Sequence, residues 1–319
     1  MREKPMLEKV IKMEAKQAWP PWRALWSSMR AAQWTKNLLI FIPALMSARW
    51  VESTLLLRSF EAFVAFCLIA SAGYIFNDLT DLSSDRAHPR KRFRPLASRA
   101  LSIRWALALM SGLAVSGLMI SRELGSAFAT IAVLYLISSF VYSLGAKRVI
   151  FLDVFALAGL YSVRLVAGCE ATGLRYSSWL LAFSFCLFLS LAFLKRYLEL
   201  RRCELEGVPL KGRGYSSTDI DLVRTFGSST GIVSVLILGI YLRERVAGFS
   251  WGAGGAVVYL LCPLVLLWIC RLWVMSSRDT TSEDDPMIFA FKDHGTWVAA
   301  TMAIVVLALA FGLEGMAGV

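Results

Sequence analysis

Nine residues, Asn77-Asp78-Leu79-Thr80-Asp81-Leu82-Ser83-Ser84-Asp85, bring three carboxylates and a carboxamide together where a long apolar stretch ends. On a helix, positions 77, 81 and 85 advance only about 40° per step, so Asn77, Asp81 and Asp85 share one face with Asp78 at its margin. Hard oxygen donors crowded on one arc repel each other unless cations neutralise them. A pair of Mg²⁺ ions bridging to the oxygens of a diphosphate is the chemistry this arrangement predicts, with Mg²⁺ keeping several waters. The competing reading is a solvated helix end whose acids pair with Arg86, Arg90 and Lys91. An acidic cluster beside a bilayer is costly to keep, which favours a functional role.

The basic run that follows supports a phosphorylated ligand. Arg86, Arg90, Lys91, Arg92, Arg94 and Arg99 place six cations within 14 positions, more than a topology signal needs. Arginine offers bidentate forks to phosphate and lysine a point charge. Within the run, His88 reads as a loop hydrogen-bonder rather than a base. Lys36, at the end of Gln33-Trp34-Thr35-Lys36, and Lys147-Arg148, after Tyr142-Ser143-Leu144, stand on the membrane face from which they could converge on the carboxylates. Snorkelling at the interface is the bland alternative for each.

Other charges lie along the apolar stretches. Asp153 and Arg164 are nearly in register on one helical face, but roughly 16 Å of rise separates them, so they cannot touch, and the buried arginine needs a partner: a carboxylate on another helix or a bound phosphate. Further on, Lys195-Arg196-Tyr197-Leu198-Glu199 closes another long apolar stretch. No nucleophile–base pair stands out, and the histidines are His88 and His294. A phosphate-monoester acceptor is already anionic, so it needs positioning and stabilised departure of diphosphate rather than a general base.

The elements that must hold these residues are membrane helices. Hydrophobic residues make up 57% of 319 residues and the mean hydropathy is +0.59, above the roughly half-apolar composition of soluble domains. Nine apolar spans are expected, near 37–50, 59–80, 102–120, 126–144, 150–168, 177–197, 228–242, 253–274 and 296–315, the first and seventh being short. The fold class is therefore all-α integral membrane. Lys and Arg crowd into 1–36, 83–104, 145–148 and 195–224, which predicts a cytoplasmic N-terminus and Asp cluster and an outside C-terminus.

The net charge of +11 lies in membrane-proximal loops rather than in one soluble basic domain, so an anionic lipid or substrate fits better than nucleic acid. Six cysteines without paired spacing support neither a disulfide framework nor a zinc site. The start of the chain has no signal-peptide core. Instead, Met6–Trp34 mixes cations with Trp19, Trp22, Trp26 and Trp34 around Pro20-Pro21, as an interfacial helix pair would. The expected organisation is an interfacial segment over 1–35 and one transmembrane catalytic domain over 36–319, with cytoplasmic loops at 83–101, 195–227 and 275–295. The second and sixth spans both end in charged motifs, which hints at a pseudo-repeat. Homo-oligomerisation stays open.

Asn77-Asp78-x-x-Asp81-x-x-x-Asp85, Tyr142 with Lys147-Arg148, and nine spans together resemble the UbiA-type intramembrane prenyltransferases. The resemblance covers about residues 28–315 and implies helices around a central cavity, with Mg²⁺ holding a diphosphate at its cytoplasmic mouth in the plasma (inner) membrane. A narrower likeness joins Gln33-Trp34-Thr35-Lys36-Asn37, Asp85-Arg86-x-His88-Pro89-x-Lys91-Arg92-x-Arg94-Pro95, Lys195-Arg196-Tyr197-x-Glu199-Leu200 and Asp284-Asp285-Pro286-Met287-x-Phe289-Ala290 to the decaprenyl-phosphate phosphoribosyltransferase branch. In that branch phosphoribosyl diphosphate is the donor and a polyprenyl phosphate the acceptor.

Where aromatic-acceptor enzymes carry a second Asp-rich motif, this chain has Lys195, Arg196, Tyr197 and Glu199. The resemblance thus implies Asn77 and Asp81 as first metal ligands, with Asp78 and Asp85 supporting them or contacting the ribose. Tyr74, one turn before Asn77, would contact ribose or phosphate. Lys36, Arg86, Lys91, Arg92, Arg94, Tyr142, Lys147 and Arg148 would hold substrate. Lys195, Arg196, Tyr197 and Glu199 would complete the pocket, and Arg164 is a further candidate contact. The alternative is prenyl transfer from a prenyl diphosphate to an aromatic or other acceptor on the same metal site.

Overall fold

The computed structural model describes residues 21–47, 52–88, 91–207, 213–248, 254–278, 290 and 293–317, and among them every regular element is helical. Seven helices are long and apolar enough to cross a membrane: Ser53–Thr80, Ile103–Glu123, Ser126–Leu144, Leu152–Thr172, Ser178–Leu205, Ser217–Glu244 and Gly255–Arg278. The helix His294–Ala317 adds a further apolar segment. The short seventh stretch of the sequence pattern is the interior of a longer helix, Ile220–Gly248.

The first stretch differs from expectation. Over its described part it runs as a 3₁₀ helix, Ala31–Phe41, followed by a four-residue α-helix, Ile42–Leu45. Pro43 contributes to this: it has no N–H to bond the carbonyl four residues back, and its ring crowds that turn. Residues 279–289, with Asp284-Asp285-Pro286, lie outside the described residues, as do 1–20, Pro89 and Arg90.

The chain divides into two compact units, one from the described residues of 1–41 and 48–144, the other from those of 42–47 and 145–319. In the first unit the Ser53–Thr80 helix packs against Ile103–Glu123, Ser126–Leu144, the 3₁₀ helix and the helix Pro21–Met29. It can be surrounded because its buried positions include Ser59, Ala62, Ala65, Ala70, Ser71 and Ala72, small residues that let neighbouring backbones close in. Ser71 Oγ accepts from Trp34 Nε1 at 3.0 Å and donates to Met29 O at 2.9 Å, which hooks the entry segment to this helix. On Pro21–Met29, Ala24 and Ser28 face inward while Trp22 and Trp26 are exposed, the two-sided pattern of an interfacial helix.

In the second unit the Ser178–Glu206 helix packs along Ile220–Gly248 and Leu152–Thr172, and Leu261–Arg278 joins Ile220–Gly248 to His294–Ala317. Asp293 caps the last helix by accepting from Thr296 N at 2.9 Å. The Arg271 guanidinium bonded to Asp293 holds its carboxyl down at about 2. A close helix contact is at Gly227, where a Cβ would lie 2.5 Å from the Trp273 ring and 2.7 Å from Phe193 Cβ. Trp273 cannot swing away without losing its Nε1 bond to Ser190 Oγ at 3.2 Å. Gly227→Ala should therefore destabilise the protein by about 1–3 kcal/mol through overpacking. A lower thermal midpoint in detergent is the expected reading.

Candidate active site

The acidic motif is built at a helix junction in the first unit. The Ser53–Thr80 helix passes into Leu82–Ala87 through Asp81, whose φ is −95° and ψ 7°. Asp81 N still donates to Asn77 O at 3.0 Å and Asp85 N to Asp81 O at 2.8 Å, so the helical progression survives the junction. The backbone therefore keeps positions 77, 81 and 85 in helical succession along one arc. Burial then divides that arc. Asp78 and Asp85 are 4% and 3% exposed, whereas Asn77 and Asp81 are half-buried.

Each half has its own partners. Arg94 Nη1 donates to Asp78 Oδ1 at 3.0 Å and to Asp85 Oδ2 at 2.6 Å, and Arg30 also bonds Asp78 Oδ1. Two carboxyl groups this buried and this close need such partners between them. Arg94 is delivered by the turn Lys91–Phe93 and fixed by Arg94 N donating to Lys91 O and Ser98 N donating to Arg94 O. Arg30 sits in the left-handed region, φ 52°, at the joint between Pro21–Met29 and the 3₁₀ helix. Its guanidinium lies 5.5 Å from the centre of the Tyr74 ring.

The remaining expected residues of this unit take different stations. Lys36 is buried, Tyr74, Lys91 and Tyr142 are half-buried, and Arg86 and Arg92 are exposed. Lys91 N donates to His88 Nδ1 at 3.3 Å, which gives His88 the loop role expected of it. Of the described cations in the run, Arg94 faces the carboxylates directly, while Arg99 is exposed with φ 64°.

The second unit holds a separate buried charge cluster. Asp153 and Arg196 are both fully buried, with Arg196 Nη2 2.6 Å from Asp153 Oδ2 and Arg196 Nη1 bonded to Glu199. Asp153 Oδ1 also accepts from Tyr215 OH and from Val154 N, each at 2.8 Å. Burial first, and then the Asp153 charge, push the Tyr215 phenol up, so it stays a donor. Thus Asp153 finds its cation on another helix, as the separation from Arg164 requires. Arg164 is itself buried, donates to Leu160 O and stands 5.6 Å from the Tyr161 ring centre. Tyr197 is buried against Trp273 and accepts from Arg201 Nη1 at 2.9 Å, while Lys195 and Glu199 are half-buried.

Sequence reasoning missed Arg30 and Tyr215. Arg30 is embedded in a Trp- and Lys/Arg-rich segment that reads as an anchor. Tyr215 lies 62 residues from Asp153, a separation that helical spacing does not report.

Among the described residues no group of three or more His, Cys, Asp or Glu side chains is poised around one metal position. The donor chemistry nevertheless fits Mg²⁺. Asn77 and Asp81 present hard oxygens from the half-buried edge, and Mg²⁺ is ordinarily held by one or two carboxylates with water and substrate phosphate completing its shell. Asp78 and Asp85 are instead engaged by arginine.

The UbiA prenyltransferase family model matches residues 38–294. The chain is 35% identical over 278 residues to uncharacterized protein y4nM of Sinorhizobium fredii, covering 85% of this chain and 52% of that one, so it spans about half the length of that relative. It is 33% identical over 297 residues to nodulation protein NoeC of Azorhizobium caulinodans, covering 92% and 93% of the two chains. It is also 33% identical over 224 residues to decaprenyl-phosphate phosphoribosyltransferase of Mycolicibacterium smegmatis, covering 68% and 70%. In fold it matches a UbiA homologue from Archaeoglobus fulgidus bound to DMAPP and Mg²⁺, with a TM-score of 0.66 at 13% identity over 91% of this chain and 99% of that one. The apolar helices, the acidic junction and these matches agree: the chain is a multi-pass membrane protein and belongs to the UbiA prenyltransferase family.

Proposed function

We propose that this protein transfers 5-phosphoribose from phosphoribosyl diphosphate to a polyprenyl phosphate and releases diphosphate. The observation that carries the reading is the cationic lining of the acidic motif. Arg94 bridges Asp78 and Asp85 and Arg30 adds a second guanidinium, so the motif pairs a carboxylate edge with fixed positive charge. Arg30 and Arg94 balance Asp78 and Asp85, so it is the further cations of the run, Arg86, Lys91 and Arg92, that a donor with a 5-phosphate besides its diphosphate would use, and a plain prenyl diphosphate has less need of them. The likeness to the mycobacterial phosphoribosyltransferase points the same way.

Asn77 and Asp81 would hold Mg²⁺, which when bound neutralises charge on the departing diphosphate. Tyr74, stacked beside Arg30, would contact the ribose or its phosphate. Arg86, Lys91, Arg92 and Lys36 would draw and hold the anionic donor. In the second unit Lys147, Arg148 and Lys195 would bind phosphate, while Arg196, Tyr197 and Glu199 hold their own helix in place. The acceptor's phosphate oxygen attacks the ribose C1 as diphosphate leaves, and neither step requires a protein base. The motif would face the cytoplasm from the plasma membrane, with an outside C-terminus.

A second reading, prenyl transfer to another acceptor, is favoured by the match to the UbiA prenyltransferase family and by the fold shared with a homologue bound to DMAPP. One assay separates the two. Membranes containing the protein, given Mg²⁺, polyprenyl phosphate and labelled phosphoribosyl diphosphate, should yield a labelled lipid, and EDTA should abolish it. If no labelled lipid forms while labelled prenyl diphosphate is consumed, the second reading replaces the first.

A further inference from the structure

The turn from Gly145 to Asp153 in the second unit is strained. Leu152 N donates to Ile150 O at 2.8 Å, closing a γ-turn whose central residue, Phe151, has φ 62° and ψ −39°. A side chain at positive φ in such a turn is rare, and it persists only where its surroundings hold it.

Those surroundings are the loop 213–215. Phe151 N donates to Tyr215 OH at 2.9 Å, and Tyr215 OH donates onward to Asp153 Oδ1. The Phe151 ring meets Phe226, Phe193 and Tyr215 edge-on at 5.7, 6.1 and 6.4 Å. Arg213 Nη1 donates to Lys147 O at 3.1 Å. Gly214 approaches so closely that a Cβ there would stand 2.6 Å from Arg148 O. Three successive residues thus stitch the loop to the turn, and Arg196, 5.5 Å from the Tyr215 ring centre, backs the stitch from the interior. The segments so joined carry Lys147, Arg148 and Arg213, with the Arg213 guanidinium held against the Lys147 backbone. Joining two helices needs no strained phenylalanine, whereas aiming a group of charges does.

We propose that Arg213 binds phosphate together with Lys147 and Arg148, and that Tyr215 is the positioning residue for this group. The ligand is a phosphomonoester. The proposal rests on the phosphoribosyl-transfer reading, in which the ribose 5-phosphate and the lipid phosphate are both such groups.

The test uses the full chain in neutral-lipid nanodiscs. The probes are ribose 5-phosphate and a short polyprenyl phosphate, with Mg²⁺-diphosphate as control. Arg213→Gln should weaken one monophosphate about tenfold, the loss of one charged hydrogen-bonding partner, while leaving the control unchanged. Arg213→Lys should recover part of it. Tyr215→Phe keeps the ring and loses both hydrogen bonds of the hydroxyl. It should raise KM for the same substrate several-fold while kcat stays within about twofold, a split that loss of folded protein does not produce. The probe that responds identifies the phosphate.

Wild-type affinity of Arg213→Gln for both monophosphates overturns the proposal. So does a loss seen equally with phosphatidylglycerol vesicles, which marks a headgroup patch. If Tyr215→Phe fails to fold, Arg213→Gln, at a partly exposed residue, decides alone. Phosphate binding that depends on Arg213 without any labelled lipid would remove the phosphoribosyl reading and leave this site standing.

Discussion

Asp81→Asn is expected to lower transfer by about 10²–10³-fold in kcat/KM while leaving the protein folded, the scale seen when one electrostatic contact to developing charge is removed. Asp81 combines the two properties a metal ligand needs here: it lies at the helix junction and it is half-buried, reachable by a hydrated ion. The amide is the same size, so packing is preserved and the change falls on charge alone. Asp85→Asn should behave differently. Asp85 is buried and joined to Arg94, so its loss disturbs the Arg94 bridge to Asp78 and costs stability as well as activity. Labelled transfer at saturating Mg²⁺, measured beside the thermal midpoint, separates the two variants. Full activity in Asp81→Asn would show that the motif holds no catalytic ion.

Arg196→Met should be the most destabilising single change among the charged residues, by about 3–5 kcal/mol. Arg196 is fully buried, and its guanidinium meets Asp153 and Glu199 at once. Removing it strands a carboxylate that is itself fully buried, and the cost is the penalty of that orphaned charge rather than the worth of the pair. The double variant Arg196→Met/Asp153→Asn should therefore recover part of the loss. Asn at 153 keeps an oxygen for Tyr215 OH but carries no charge. Thermal or denaturant midpoints of the two singles and the double give the coupling directly. Strict additivity would mean that the two side chains are energetically independent.

The apolar stretches and the 77–81–85 register were legible in the sequence because both depend on helical periodicity, a local property that hydropathy and spacing report. Composition likewise determined a membrane protein, and the nine-residue acidic motif determined which residues to watch. Two local readings were incomplete for local reasons: Pro43 interrupts the first stretch, and the seventh continues as helix into more polar sequence.

What only the tertiary structure decided is who faces whom. That Arg94 and Arg30, 16 and 48 positions from Asp78, divide the acidic arc into a buried pair and a half-buried edge follows from packing. So does the buried link from Asp153 to Arg196 and Tyr215, on segments 43 and 62 residues away. No spacing rule encodes such pairs, because each forms where burial makes an unmatched charge intolerable, and burial is a property of the assembled helices rather than of any one of them.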